Sequence, residues 1–315
     1  MDQRRPRSRG SSIWLFLLGF LVGAGALYLF LKGSPPRPPA PGREAAPPPA
    51  GKAPQERKPD ARRRTVPSDH VEPETPVGKP VAPAPSPPGP VQGARVALVI
   101  DDLGRSVEDL QPLQALGVPV TYAVLPYEEQ TPEVVSELRQ RGAEILLHLP
   151  MEPKNGENPG PGALLRGMSD DELREKTLAA LQAVPGAVGV NNHMGSGFSA
   201  EVGPMTTVIG VLASRGLFFL DSRTSAESVG YKVARELGVP AAERQVFLDG
   251  DPSPEAIEAQ FERLLGLARA HGSAIAIGHP HPETLAVLER EVPKAKAQGY
   301  EFVPVSYLLA RSGGE

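Results

Sequence analysis

His148, His193, His279 and His281, four of the six histidines in the chain, each follow or close a short apolar run. So do the carboxylates Asp101, Asp102, Glu152, Asp221, Asp249 and Asp251, and the amides Asn191 and Asn192. Imidazole and carboxylate without a single cysteine suit Zn²⁺ or another divalent first-row metal. The adjacent Asp101 and Asp102 would let one carboxylate bind metal while the other faces a water. A neighbouring charge tunes the pKa of such a base, and a metal lowers that of the water. A histidine on the opposite rim is placed to protonate a leaving group. The chemistry this set allows is metal-assisted hydrolysis. Each residue alone has a plainer reading, since Asp101, Asp102 or Asp221 could simply cap the next helix. His271, just before Gly272, is accounted for by a helix dipole. Arrival from five or six separate strands is what makes a site.

Those strands are visible as short apolar, β-branched runs at 94–100, 118–125, 143–149, 187–192, 217–221, 244–249, 273–279 and 300–305. Amphipathic stretches with helix punctuation lie between them. Ser169 and Glu172 form a capping box, and Thr131-Pro132 and Ser253-Pro254 place an N-cap ahead of proline. Gly117, Gly142, Gly186, Gly216, Gly238, Gly272 and Gly299 each close a helical stretch just before the next strand, where a left-handed residue is needed. Strands apolar on both faces and separated by helices make a parallel sheet. Seven or eight βα units in residues 95–315 predict a closed or nearly closed barrel. Its active site belongs at the C-terminal strand ends.

The remainder of the chain is physically different. Residues 13–31 (IWLFLLGFLVGAGALYLFL) are uncharged and mostly apolar, and as a helix would span about 28 Å. Arg4, Arg5, Arg7 and Arg9 precede them, so residues 1–12 are expected in the cytoplasm and the C-terminal part across the membrane. The apolar run continues past the length of a signal-peptide core, which favours an uncleaved anchor over residues 13–32. Residues 33–94 carry 19 prolines with no hydrophobic periodicity. They read as a disordered, polyproline-rich tether reaching at most about 190 Å.

Several function classes are excluded. Zero cysteines rule out a thiol nucleophile, a disulfide scaffold and an iron–sulfur site. Gly195-Ser196-Gly197 lacks the spacing of a nucleophile elbow. No Walker A sequence and no G-x-G-x-x-G after a strand occur, so no nucleotide is expected. A net charge of −4 argues against nucleic acid.

Taken together, ALVIDDLG (97–104), LLHLPMEP (146–153), NNHMGS (191–196), FFLDSRTS (218–225) and AIAIGHPHPETL (274–285) resemble the divergent polysaccharide deacetylase family. This bacterial group is distantly similar to NodB-type carbohydrate esterases, and the resemblance covers residues 95–315. It implies an α/β fold, a distorted NodB-like (β/α) barrel of seven or eight parallel strands, and a divalent metal, zinc by preference. It also implies N- or O-deacetylation of a carbohydrate polymer. Carried over, Asp101 looks like the general base, Asp102 and His148 like metal ligands, and His279 like the catalytic acid.

Two departures stand out. NodB-type enzymes have a second histidine four residues after the first, where this chain has Glu152. Their arginine-containing motif, which orients the aspartate base, is replaced by Asn191-Asn192-His193. The third ligand is therefore His193 or Glu152. His193 is favoured because imidazole suits zinc better and Pro150 and Pro153 constrain the path around Glu152. Asn192, Asp221 and His281, with Glu152, are further candidates to touch a ligand or substrate. The expected protein is a single-pass bacterial inner-membrane hydrolase acting on C–N or ester bonds of an envelope polysaccharide, its C-terminal domain in the periplasm or outside. The competing expectation is a non-catalytic glycan-binding or scaffold protein that keeps the barrel.

Overall fold

The computed structural model describes residues 93–312. The expected N-terminus (1–12), anchor (13–32) and linker (33–94, save Gly93 and Ala94) lie outside the described residues. Among the described residues no helix is long and apolar enough to cross a membrane.

In chain order the elements are β1 (Arg95–Leu103), α1 (Leu110–Ala115), β2 (Thr121–Val124), α2 (Thr131–Gln140), β3 (Glu144–Met151), α3 (Asp170–Ala183), β4 (Gly189–Met194) and α4 (Val202–Arg215). There follow β5 (Phe218–Asp221), α5 (Gly230–Glu236), β6 (Ala241–Glu243), β7 (Val246–Phe247), α6 (Pro254–His271), β8 (Ser273–Gly278), α7 (Pro282–Ala297), β9 (Glu301–Phe302) and α8 (Val305–Ser312). The capping box at Ser169 and Glu172 is present, and all seven helix-closing glycines have positive φ. Thr131 departs from its expected capping role. Gln130 takes that position, while the Thr131 hydroxyl donates to Leu125 O at 2.7 Å and ties the helix start to the end of β2.

Every ladder is parallel, and the sheet order is β6-β5-β4-β3-β2-β1-β8-β7, with β9 paired to the start of β1. The sheet curls into the distorted (β/α) barrel expected, open between β6 and β7, which end the strand order. Its two edges are consecutive in the chain: Arg244 N donates to Asp221 O on β5, and Gln245 N donates to Ile275 O on β8. One extended segment, 241–248, thus leans first on one edge and then on the other. The sequence run at 244–249 captures only its second half, and the run at 300–305 shrinks to β9 because α8 begins at Val305.

Side chains alternate between the faces of a strand, and two separate apolar clusters follow. Val96, Leu98, Ile100, Leu147, Val190 and Phe219 pack outward with helix residues such as Leu138, Leu212 and Leu264. Ala97, Val99, Ala123, Leu146, Phe218, Leu220, Ile275 and Ile277 fill the interior together with Val305. The N-terminal end of the barrel is closed by α8: Val305 N donates to Thr121 Oγ1 and Ser306 N to the Glu144 carboxylate, at 3.2 and 3.3 Å. Glu144 also places negative charge at the positive end of that helix. Apolar filling and this helix cover the interior from the N-terminal end.

Candidate active site

The inward positions of the strands continue into polar residues at the opposite, C-terminal end. Beyond Ala97 and Val99 comes Asp101; beyond Leu146, His148; beyond Ile275 and Ile277, His279. Register brings them together, since His148 pairs with Asn191, Pro150 with His193, and Ile100 with Gly278 just before Asp101 and His279. Asp102 is out of step and should face the helices. It reaches the interior because its backbone is left-handed, φ 59°, at an irregularity between Ile100 and Leu103. Left-handed backbone at an aspartate is uncommon and costly, and such strain clusters at functional sites.

Three atoms converge there. Asp102 Oδ1 lies 3.2 Å from His148 Nε2 and 2.9 Å from His193 Nδ1, and the two ring nitrogens are 3.1 Å apart. The residues present fit a divalent cation. Ligands bound at about 2.0–2.2 Å in tetrahedral geometry sit about 3.3–3.6 Å from one another, a few tenths of an ångström above the spacings seen. Asp102 Oδ1 is buried and faces the two ring nitrogens, its near polar neighbours. Burial works against ionisation of Asp102, but His193 and His148 outweigh it and hold the carboxyl well below the usual range.

Asp101 is 3% exposed and stands beside this triad, Oδ2 3.6 Å from His148 Nε2. Burial raises its pKa, against the pull of His148, His279 and a hydrogen bond from Asn191. Across the mouth, His279 donates its backbone N–H to Asp249 Oδ2 at 2.6 Å and holds Asp249 Oδ1 through Nδ1 at 3.0 Å; Thr284 Oγ1 adds a third bond to Asp249 at 2.8 Å. Burial alone would depress the His279 pKa. Asp249, with Asp102 and Asp101 beyond it, instead pushes it up to about 10. The imidazole is therefore cationic at neutral pH and paired with a carboxylate, which suits a proton donor.

The further candidates fare differently. Glu152 is not gathered at the triad. Both its oxygens are taken by Arg166, from the backbone N at 2.7 Å and the guanidinium at 2.9 and 3.1 Å, so the carboxylate pins the β3–α3 connection. Asn192 faces outward beside Val190, and its amide is spent on Ser222 N and Met194 O. Asp221, outward beside Phe219, accepts from Ser228 Oγ, Tyr231 N and Arg223 N and caps the approach to α5. A Cβ on Gly230 would lie 2.6 Å from the Phe219 ring, so glycine is what lets that helix sit so close. His281 stays at the mouth, its ring centroid 5.6 Å from that of His279. Asn191 and Asp249, which the sequence places at strand ends without a role, are central. Both occupy strand ends with inward parity, the signal that would have found them.

The model of the divergent polysaccharide deacetylase family matches residues 98–309. The chain belongs to this family. It is 38% identical over 145 residues to an uncharacterized protein of Haemophilus influenzae, covering 46% of this chain and 52% of that protein. It is 38% identical over 149 residues to the uncharacterized protein YibQ of Escherichia coli, covering 47% of each. The matched region thus spans about half the length of these curated relatives. A solved structure of an uncharacterized protein from Agrobacterium tumefaciens is 30% identical, with a TM-score of 0.64 over 70% of this chain and 92% of that one. The fold is that of the polysaccharide deacetylases.

Proposed function

We propose that this family member is a metal-dependent hydrolase removing acetyl groups from a cell-envelope carbohydrate, held at the bacterial inner membrane by residues 13–32. The observation that carries this reading is the convergence of Asp102 Oδ1, His148 Nε2 and His193 Nδ1, with a buried carboxylate on one side and a cationic imidazole on the other. The three would hold a divalent cation, zinc by their chemistry. When bound, such an ion polarises a carbonyl and lowers the pKa of water.

The protein groups supply the rest. Asp101, raised by burial into a more basic range, takes up the proton of the attacking water. His279 gives its Nε2 proton to the departing amine or alkoxide, and Asp249 holds the ring in the orientation that presents it. The apolar interior beneath keeps these charges in a medium of low dielectric, where they act strongly.

Glu152 in place of the second histidine, together with the missing arginine motif, speaks for the non-catalytic alternative. Asn191 supports the hydrolase instead, because its amide donates to Asp101 Oδ1 at 2.8 Å and so orients the base in that motif's place. The full-length protein, purified with metal, should carry near-stoichiometric zinc and release acetate from an acetylated glycan fragment. Asp101→Asn should cut turnover by about 10²–10⁴-fold with the fold intact. Metal-free protein that releases no acetate, and that binds glycan equally after Asp102→Ala, would overturn the reading in favour of a binding protein.

A further inference from the structure

Asn191 is fully buried on the inner face of β4, and its amide joins two groups that the proposed chemistry uses separately. Its Oδ1 lies 2.9 Å from His148 Nδ1, and its Nδ2 donates to Asp101 Oδ1 at 2.8 Å and to Ser222 Oγ at 3.2 Å. Amide orientation is settled by chemistry. An ionised carboxylate only accepts, so the NH₂ must face Asp101 and the carbonyl must face His148. It follows that His148 carries a proton on Nδ1, and that the neutral ring, the form able to bind a cation, turns a lone pair on Nε2 toward Asp102 and His193. In the reverse tautomer two acceptors would meet at Nδ1, and a proton would stand in the space between the three converging atoms.

The neighbouring residues keep this amide in place. Asn192, on the opposite face of the same strand, accepts Ser222 N at 2.9 Å, and so sets the serine that receives the second Asn191 proton. Asn191 and His148 are direct register partners, which makes the short contact a consequence of the β3–β4 ladder.

We infer that Asn191 is the positioning residue of this site, coupling His148, which it sets as a cation ligand, to the carboxylate base Asp101. The inference rests on the proposed function and extends it. Outer partners that fix a ligating histidine typically matter 10–100-fold in metal affinity. The two halves of the amide are separable by substitution. Asn191→Asp keeps an acceptor for His148 Nδ1 but replaces the amide donor with a second carboxyl, which repels the Asp101 carboxylate or shares its proton and so takes away the free base. Asn191→Leu loses both.

The test measures Zn²⁺ affinity of the full-length chain by competition with a chromophoric chelator, alongside acetate release. Imidazole ¹⁵N shifts of the metal-free protein report the His148 tautomer. Wild-type His148 should be the Nδ1–H form. Asn191→Asp should bind zinc as tightly as wild type or more so, while its turnover falls by at least about 10²-fold. Asn191→Leu should lose 10–100-fold in zinc affinity as well as turnover. Should the leucine variant fail to fold, the aspartate variant and the wild-type tautomer still decide the matter. A wild-type His148 in the Nε2–H form, or an aspartate variant that loses zinc affinity and turnover together, overturns the inference. Wild-type protein that binds no zinc overturns the proposed function instead, which keeps the two failures apart.

Discussion

At the scale of single residues, the pairing of His279 with Asp249 makes a prediction independent of any substrate. An unfolded histidine titrates near 6.5, whereas His279 in the folded barrel is pushed up to about 10. Between those values the folded state holds the proton that the unfolded chain releases. This contribution to stability is therefore complete below about pH 6.5 and lost as pH climbs through 10, with a slope approaching 1.4 kcal/mol per pH unit. Urea unfolding of the metal-free protein should show that decline from pH 7 to 10, and Asp249→Asn should flatten it. A wild-type profile as flat as the variant's would make His279 neutral and remove the proton donor from the mechanism. His279 was legible from sequence as a strand-end histidine. Asp249 is legible as a strand-end carboxylate but its pairing is not, because nothing in the 29 residues between them tells which carboxylate will face which ring.

At the scale of elements, strand parity decides which strand-end residues meet. Asp101, His148, His193 and His279 continue the inner faces of their strands, whereas Asp221 and Asn192 continue outer ones. The sequence could not show this, because strands buried on both faces are apolar at every position and the pattern carries no inward mark. Asp102 was legible as a ligand only through the family resemblance, since its inward reach depends on a left-handed backbone at the irregularity in β1. The helices were the more legible elements, their ends marked by a capping box and seven glycines. Glu152 shows how a chemically reasonable ligand is lost to a local partner, for Arg166 stands in the same connection between β3 and α3. Glu152→Ala should leave zinc affinity unchanged and instead raise amide exchange and proteolytic cleavage across 152–169. His193→Ala should reduce affinity by orders of magnitude. If the two substitutions weaken zinc binding alike, Glu152 is a ligand after all and the arrangement of that connection is wrong.

At the scale of the molecule, the barrel separates a functional mouth from a structural base. Polar groups with displaced pKa values gather at the C-terminal strand ends, while Val305 and the rest of the inner cluster fill the other end. A ligand that binds only the folded mouth stabilises the whole domain, by about 2.7 kcal/mol at a hundredfold excess over its dissociation constant. For a domain of this size that is a rise of about 5–10 °C in Tm. Saturating zinc should produce it in wild type, and His193→Ala should abolish it. Val305→Ala, fully buried at the base, should lower stability by roughly 1–3 kcal/mol. Because distant sites add independently, the zinc-induced rise should stay the same size in that variant. Calorimetry of the four combinations distinguishes a mouth that merely sits on a rigid barrel from one coupled to α8. A zinc-induced rise that shrinks with Val305→Ala would show that α8 helps shape the site, and the division between mouth and base would fail.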